Sequence, residues 1–395
     1  MKSPFRLLAL VLTLSMAGMP QLAVAQTIEE LFQQGNAAQK AKNYSQAEAI
    51  YSRIIQIEPN NAKAYYKLCY VLDDQNKLDD AVAACRKSIA LNSNDALTYN
   101  GLGFILGRQG KLEEASIAFR QAIQLDPTYT KAYINLASTL SSQGKLEEAI
   151  IASRQAIQLD PKSADAYSSL GFALRKQGKL EEAIIASRQA IQLNPKFVIA
   201  YVSLGFALYN QGKQEEAITA FRQAIELDPQ SGIAYIGLGN VLRGQGKQEE
   251  AIVAYRQAIQ LDDKYAMAYI NLGVALYEQG KQEEAIAAYR QAIQIDPNYV
   301  DAYNNLGFAL YNQGKQEEAI VAYRQALKLP DSIDPPPSTH ALSHNGIGLV
   351  LQQQGNLEQA IEEYKKSLQI DPNFIPVINN LKEAERLLSL RRNPK

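Results

Sequence analysis

The sequence predicts an all-α protein in which about ten helix-turn-helix units stack one after another and end in a C-terminal capping helix. Three observations predict it. Proline recurs on a 34-residue grid, at Pro59, Pro127, Pro161, Pro195, Pro229 and Pro297, with Ser93 and Asp263 at the two vacant points. A period of that length marks one supersecondary unit copied many times. Apolar residues inside each unit follow helical spacing, and one position is alanine in all ten copies, from Ala47 to Ala360.

Residues 1–25 read as a secretory signal: Lys2 and Arg6, an apolar core from Leu7 to Met16, then Ala23-Val24-Ala25 before Gln26. The apolar run is too short to favour a membrane span. Repeats begin at Ile28, Ala62, Ala96, Thr130, Ala164, Val198, Gly232, Ala266 and Val300. In the sixth, Tyr201, Leu204, Gly205 and Leu208 form an i, i+3, i+4, i+7 stripe on a first helix. Gly212 ends that helix, since glycine tolerates a left-handed backbone. Glu215 and Glu216 then place acid in the first turn of a second helix, where it complements the dipole. Ala217, Phe221 and Ala224 line its buried face, and Asp228-Pro229 stops it. Glycine inside a helix costs about 1 kcal/mol against alanine, which close helix packing offsets.

The first nine repeats occupy residues 28–340, including a proline-rich insertion at 331–339. The tenth follows at 341–374, and residues 375–395 form the cap and tail, with Leu381, Ala384, Leu387 and Leu388 on one face. Consecutive prolines favour extended chain, so the insertion is expected to break the stack and let the tenth repeat swing. Ser153 and Ser187 replace the aromatic at position 24 of repeats four and five, where local softness is expected.

Position 4 reads tyrosine in repeats two to nine, position 8 is mostly glycine, position 20 alanine, position 24 mostly aromatic and position 32 mostly proline. This pattern resembles the tetratricopeptide repeat family over residues 28–374. The resemblance implies a right-handed superhelical solenoid, a non-enzymatic scaffold, and a concave groove lined by the variable positions 2, 5, 9, 12 and 13. With the export signal, it suggests an exported bacterial protein, periplasmic or secreted after cleavage near Ala25, that binds a segment of another envelope protein.

Forty basic residues face 41 acidic ones; without Lys2 and Arg6 the balance is −3. Phosphate binding needs a basic stripe, so nucleic acid is not expected as a partner. No cofactor is expected. Gly237-Leu238-Gly239 lies mid-helix with no preceding strand, and the recurring paired glutamates are architecture rather than a catalytic dyad.

The candidate partner-binding residues lie on the first helices. Positions 2 and 5 of repeats six to eight read Ile199, Val202, Ile233, Ile236, Met267 and Ile270, expected as one apolar patch. Position 12 runs Arg175, Tyr209, Arg243, Tyr277, Tyr311, a composition typical of binding hot spots. Position 9 adds Phe172, Phe206 and Phe308, which either join the groove or pack between adjacent first helices. The alternative reading is a glycan or peptidoglycan site linked to polysaccharide export, with tyrosines stacking on sugar rings; self-association through an end face is a further option. The family's carboxylate clamp is incomplete here, since Asp301 and Asn305 stand where cations are wanted. His340 and His344, at i, i+4, form a weak metal candidate with no Cys or carboxylate near in sequence. Cys69 and Cys85, at positions 8 and 24 of the second repeat, either bridge or remain buried thiols.

Overall fold

The structure is a computed structural model that describes residues 27–331 and 337–392; the expected secretory signal lies outside them. The described residues form twenty-one helices and no strand. Contacts divide the chain into two units, one ending at Ala132 and one beginning at Tyr133. The first holds α1 Ile28–Lys40, α2 Tyr44–Ile57, α3 Ala62–Asp74, α4 Leu78–Leu91, α5 Ala96–Arg108 and α6 Leu112–Leu125. The division falls within α7, Thr130–Ser142. The second continues with α8 Leu146–Leu159, α9 Ala164–Lys176, α10 Leu180–Leu193, α11 Val198–Asn210 and α12 Gln214–Leu227. Then follow α13 Gly232–Gly244, α14 Gln248–Leu261, α15 Ala266–Glu278, α16 Gln282–Ile295 and α17 Val300–Asn312. It ends with α18 Gln316–Ala326, α19 Thr339–Gln353, α20 Leu357–Ile370 and α21 Ile375–Arg392.

Each repeat is an antiparallel helix pair whose turn is set by one left-handed residue. Gly212 takes φ +83°, the conformation expected of it, while Lys42 and Asn76 fill the equivalent turns of the first two repeats at φ 59° and 60°. Across the pair, the ring at position 24 rests on the glycine at position 8. A Cβ added at Gly205 would lie 2.7 Å from Phe221, and one at Gly239 would lie 2.5 Å from Tyr255. The same ring also meets the first helix of the next repeat, since a Cβ at Gly237 would overlap Phe221 and one at Gly346 would overlap Tyr323. Close packing therefore offsets the glycine's helix cost, as the sequence implies.

Polar ladders follow the same period. In the second unit, Gln177, Gln211, Gln245 and Gln279 each donate to a glutamate of the preceding repeat at 2.7–2.8 Å. Arg188 and Arg290 pair with Glu216 and Glu318 of the following repeat at 3.0 and 2.9 Å. These pairs are exposed and contribute little each, about 0–1 kcal/mol. They fix register more than they add stability.

Departures from the regular pattern fall at repeats four, five and ten. Ser153 and Ser187 are fully buried, and their hydroxyls find no partner. At Gly171 an added Cβ would sit 2.8 Å from Ser187 Oγ and 3.2 Å from the Ala183 carbonyl, so this position is filled without a ring. In the fifth repeat the serine hydroxyl and the α10 backbone thus occupy the space that faces a ring in the neighbouring repeats.

The tenth repeat stays in the stack, with α19 packed on both α17 and α18, which corrects the expectation that it swings. Two polar groups hold it. Asn304 donates Nδ2 to the Thr339 carbonyl at 3.0 Å and accepts from Ser343 Oγ at 2.6 Å, all buried. Asp331 caps the start of α19, accepting from Ser338 Oγ at 2.7 Å, Thr339 Oγ1 at 2.8 Å and the His340 amide at 3.0 Å. Insertion residues 332–336 lie outside the described set, yet both their flanks are pinned to one another. The cap α21 buries Val377 and Ala384 against Ala360, Ile361 and Tyr364, with Leu381 and Leu388 beside them.

Burial pushes the Asp331 carboxyl up, but hydrogen bonds from Ser338, the His340 amide and Thr339 outweigh it and hold the group below its ordinary value. A depressed folded value contributes stability above the unfolded one and loses it as pH falls. Asp331→Asn should therefore melt lower than the parent at pH 7, and the gap should close below about pH 4. Thermal melts of both proteins across that range check it.

Candidate functional site: the first-helix face of repeats five to eight

Residues at i, i+3 and i+4 share a helix face, so positions 2, 5, 9 and 12 line up along α9, α11, α13 and α15. Three of the six aliphatic candidates are solvent-facing: Ile199 at 61 % exposure, Ile233 at 38 % and Met267 at 43 %. The other three are buried, which corrects the expectation of one continuous surface patch. Ile236 packs against Ala258 and Ala268, and Ile270 against Ala292 and Ala302. Position 5 points between the second helix of its own repeat and the first helix of the next, where alanines on both are small enough to admit an isoleucine. Val202, 8 % exposed, forms the wall of the site rather than its surface.

A cleft of about 430 Å³ opens between these helices, with Ile199, Val202, Ile233 and Met267 as its aliphatic lining. Phe172 and Phe206 close one side, and Ser203 and Ser231 add hydroxyls. Phe206 also packs edge-on against Phe221, with ring centroids 5.0 Å apart, so position 9 serves both core and cleft. Phe308 remains 46 % exposed beside Tyr277, 5.4 Å between centroids.

The position-12 residues differ in their surroundings. Arg175 is half-buried between two rings, its Cζ 5.3 Å from the Phe172 centroid and 5.5 Å from that of Phe206. Burial lowers its guanidinium pKa, and its Nε has no hydrogen-bond partner. Arg243 instead pairs with Glu278, Nη1 to Oε1 at 2.8 Å. Burial pushes the Arg243 guanidinium down, but the charge and hydrogen bond of Glu278 together with Tyr255 outweigh it and hold the group above its ordinary value. Tyr209, Tyr277 and Tyr311 are half-buried along the same line.

The remaining candidates lie elsewhere. His340 Nε2 sits 2.8 Å from the Leu329 carbonyl, whereas His344 Nδ1 lies 2.6 Å from Glu363 Oε2. Each imidazole thus has its own protein partner, and no group of three or more metal-type ligands occurs among the described residues. A carboxylate absent near His344 in sequence is supplied by α20, across the helix pair. The sequence reading also passes over a row at position 22 of the second helices. Ile151, Ile185 and Val253 are each 67 % exposed there. Its only signal in the chain is an aliphatic residue on an otherwise polar helix face.

Cys69 on α3 and Cys85 on α4 are joined by a disulfide, with 5.3 Å between Cα atoms. They occupy the positions held elsewhere by glycine and ring. A loop of this length makes the bridge worth about 3 kcal/mol. Reduction should lower the melting temperature and speed hydrogen exchange in α3 and α4 before any helix of the second unit; equal exchange with and without reductant would contradict this.

Comparisons with known proteins bear on the whole arrangement. Family models described as "TPR repeat" match residues 138–178, 171–212, 205–246, 239–280 and 275–314. Models described as "Tetratricopeptide repeat" match 38–102, 96–129, 118–151, 300–329 and 341–374. No curated protein sequence matches. Among solved structures, the human IFIT1 dimer with m7Gppp-AAAA aligns at TM-score 0.62 and 14 % identity, covering 92 % of this chain and 91 % of that one. The APC/C hetero-tetramer Cut9-Hcn1 aligns at TM-score 0.51 and 14 % identity, covering 91 % and 97 %. At that identity the likeness is one of fold. With matched repeats running from residue 38 to residue 374 and helix pairs stacked on ring-and-glycine contacts, the chain belongs to the tetratricopeptide repeat family.

Proposed function

We propose that this protein is a non-catalytic interaction scaffold that holds a segment of a partner protein in the cleft of repeats five to eight, and that it works in the bacterial cell envelope after export. Stacked helix pairs of this family bind protein partners, and the apolar cleft carries the reading to a place on the surface. An open aliphatic pocket rimmed by aromatic residues and arginine has the composition of an interface anchor site. Exported location is supported by the signal read in residues 1–25 and by the Cys69–Cys85 bridge, which persists in oxidising compartments. No described helix is long and apolar enough to cross a membrane.

Affinity capture from envelope extract tests the reading. The purified protein is compared with an Ile199→Asp, Met267→Asp variant, whose exposed sites tolerate the change without unfolding. Ile236 and Ile270 would be poor choices, because a buried charge there collapses the core. A protein retained by the parent and depleted at least about tenfold by the variant supports the cleft, since each lost anchor costs 1–2 kcal/mol or more. Equal capture by both places binding elsewhere. Retention of saccharide alone favours the glycan alternative.

A further inference from the structure

Two arginines at positions 12 and 13 of the first helices find a carboxylate thirty-five residues away. Arg108 pairs with Asp73, and Arg243 with Glu278 at 2.8 Å. Arg175 does not. The residues thirty-five places on either side of it are Leu140 and Asn210. Asn210 occupies the position that Glu278 holds two repeats later. The one acid on α9 is Asp165, ten residues back and about 15 Å along the helix axis. Neither α11 nor α13, the next two first helices along the face, carries any acid. A second cation, Lys176, stands 5.6 Å from the Phe172 ring. The cleft therefore combines an aliphatic floor with one cation, Arg175, that no carboxylate of α9, α11 or α13 reaches, and Lys176 adds positive charge nearby.

We propose that an acidic side chain of the bound segment supplies the missing partner of Arg175, so that the cleft selects an extended peptide pairing Asp or Glu with a neighbouring aliphatic residue. This rests on the scaffold reading above and narrows it to a ligand chemistry. The two rings fix the guanidinium plane and shield it from water, so a carboxylate reaching it forms a charge-assisted, bidentate pair at low ordering cost. Ile199, Ile233 and Met267 take the adjacent aliphatic side chain. A neutral apolar segment would fill the cleft, cover the half-buried cation and leave it without a partner, which penalises that segment relative to an acidic one.

The test is selection of a phage-displayed dodecapeptide library on the purified protein, on Arg175→Gln and on the Ile199→Asp, Met267→Asp variant. Peptides fused through their C-terminus offer no free chain-end carboxylate. The parent should enrich sequences with Asp or Glu beside an aliphatic residue, and Arg175→Gln should keep the aliphatic preference and lose the acidic one. An amidated synthetic copy of the best peptide should bind the parent about 30-fold tighter than Arg175→Gln. Its Asp→Asn or Glu→Gln version should bind the two alike. The peptide-side change on the parent decides the matter even if the Arg175 variant folds poorly. Aliphatic enrichment without acid, equal in parent and Arg175→Gln, overturns the carboxylate assignment and leaves the scaffold reading standing. Enrichment unaffected by Ile199→Asp, Met267→Asp overturns both.

Discussion

The contact on which the rest of the structure depends is an aromatic ring seated on a glycine across the helix pair, and at two of the interfaces a glycine of the next repeat lies against the same ring. Phe221 lies against Gly205 of its own repeat and Gly237 of the next, and Tyr323 lies likewise against Gly307 and Gly346. One ring thus sets the spacing within a helix pair and the spacing between pairs. Alanines at position 20, Ala217 and Ala319 among them, are fully buried and let the backbones come that close. Van der Waals contact at short range is steep, so this lock admits little variation. Polar ladders of glutamine, glutamate and arginine then trim a spacing already decided by packing.

The chain shows what else can fill the lock. In the second repeat the glycine and ring are both replaced, and Cys69 and Cys85 bridge the same two positions covalently. In the fifth, Ser187 stands where the ring would be, with its hydroxyl against Gly171, buried and unpaired. At the tenth, a seven-residue excess in the sequence is absorbed without losing the stack, because Asp331 ties its two ends to the start of α19 and Tyr323 still finds Gly346. Consecutive prolines exclude helix over that stretch but say nothing of how its flanks are anchored.

Which parts were legible in the sequence follows from this. The repeat period, the helix boundaries, the turn glycines and the buried faces are local or periodic properties, and one chain with ten copies displays them openly. The candidate face was legible in outline, since positions that vary between copies are those the core does not constrain. Its depth was not. Ile236 and Ile270 share a helix stripe with Ile233 and Met267, but whether position 5 is covered depends on how its own second helix and the next first helix pack, where Ala258 and Ala268, and Ala292 and Ala302, admit it. Partners across the pair were equally hidden: Glu363 meets His344 nineteen residues away. The distinction between Arg243 and Arg175, alike in sequence position, becomes visible only once Glu278 is seen on one and two phenyl rings on the other.

The measurement that tests the central claim most directly is the stability of Gly237→Ala beside Gly244→Ala, two substitutions on the same helix. Helix propensity alone favours both by about 1 kcal/mol. At Gly244 an added Cβ has its nearest neighbour 3.7 Å away, while at Gly237 it overlaps the Phe221 ring. Chemical denaturation should therefore find Gly244→Ala neutral or stabilised and Gly237→Ala destabilised by about 1–3 kcal/mol. If Gly237→Ala were stabilised as much as its companion, the ring between two glycines would not be what sets the repeat spacing.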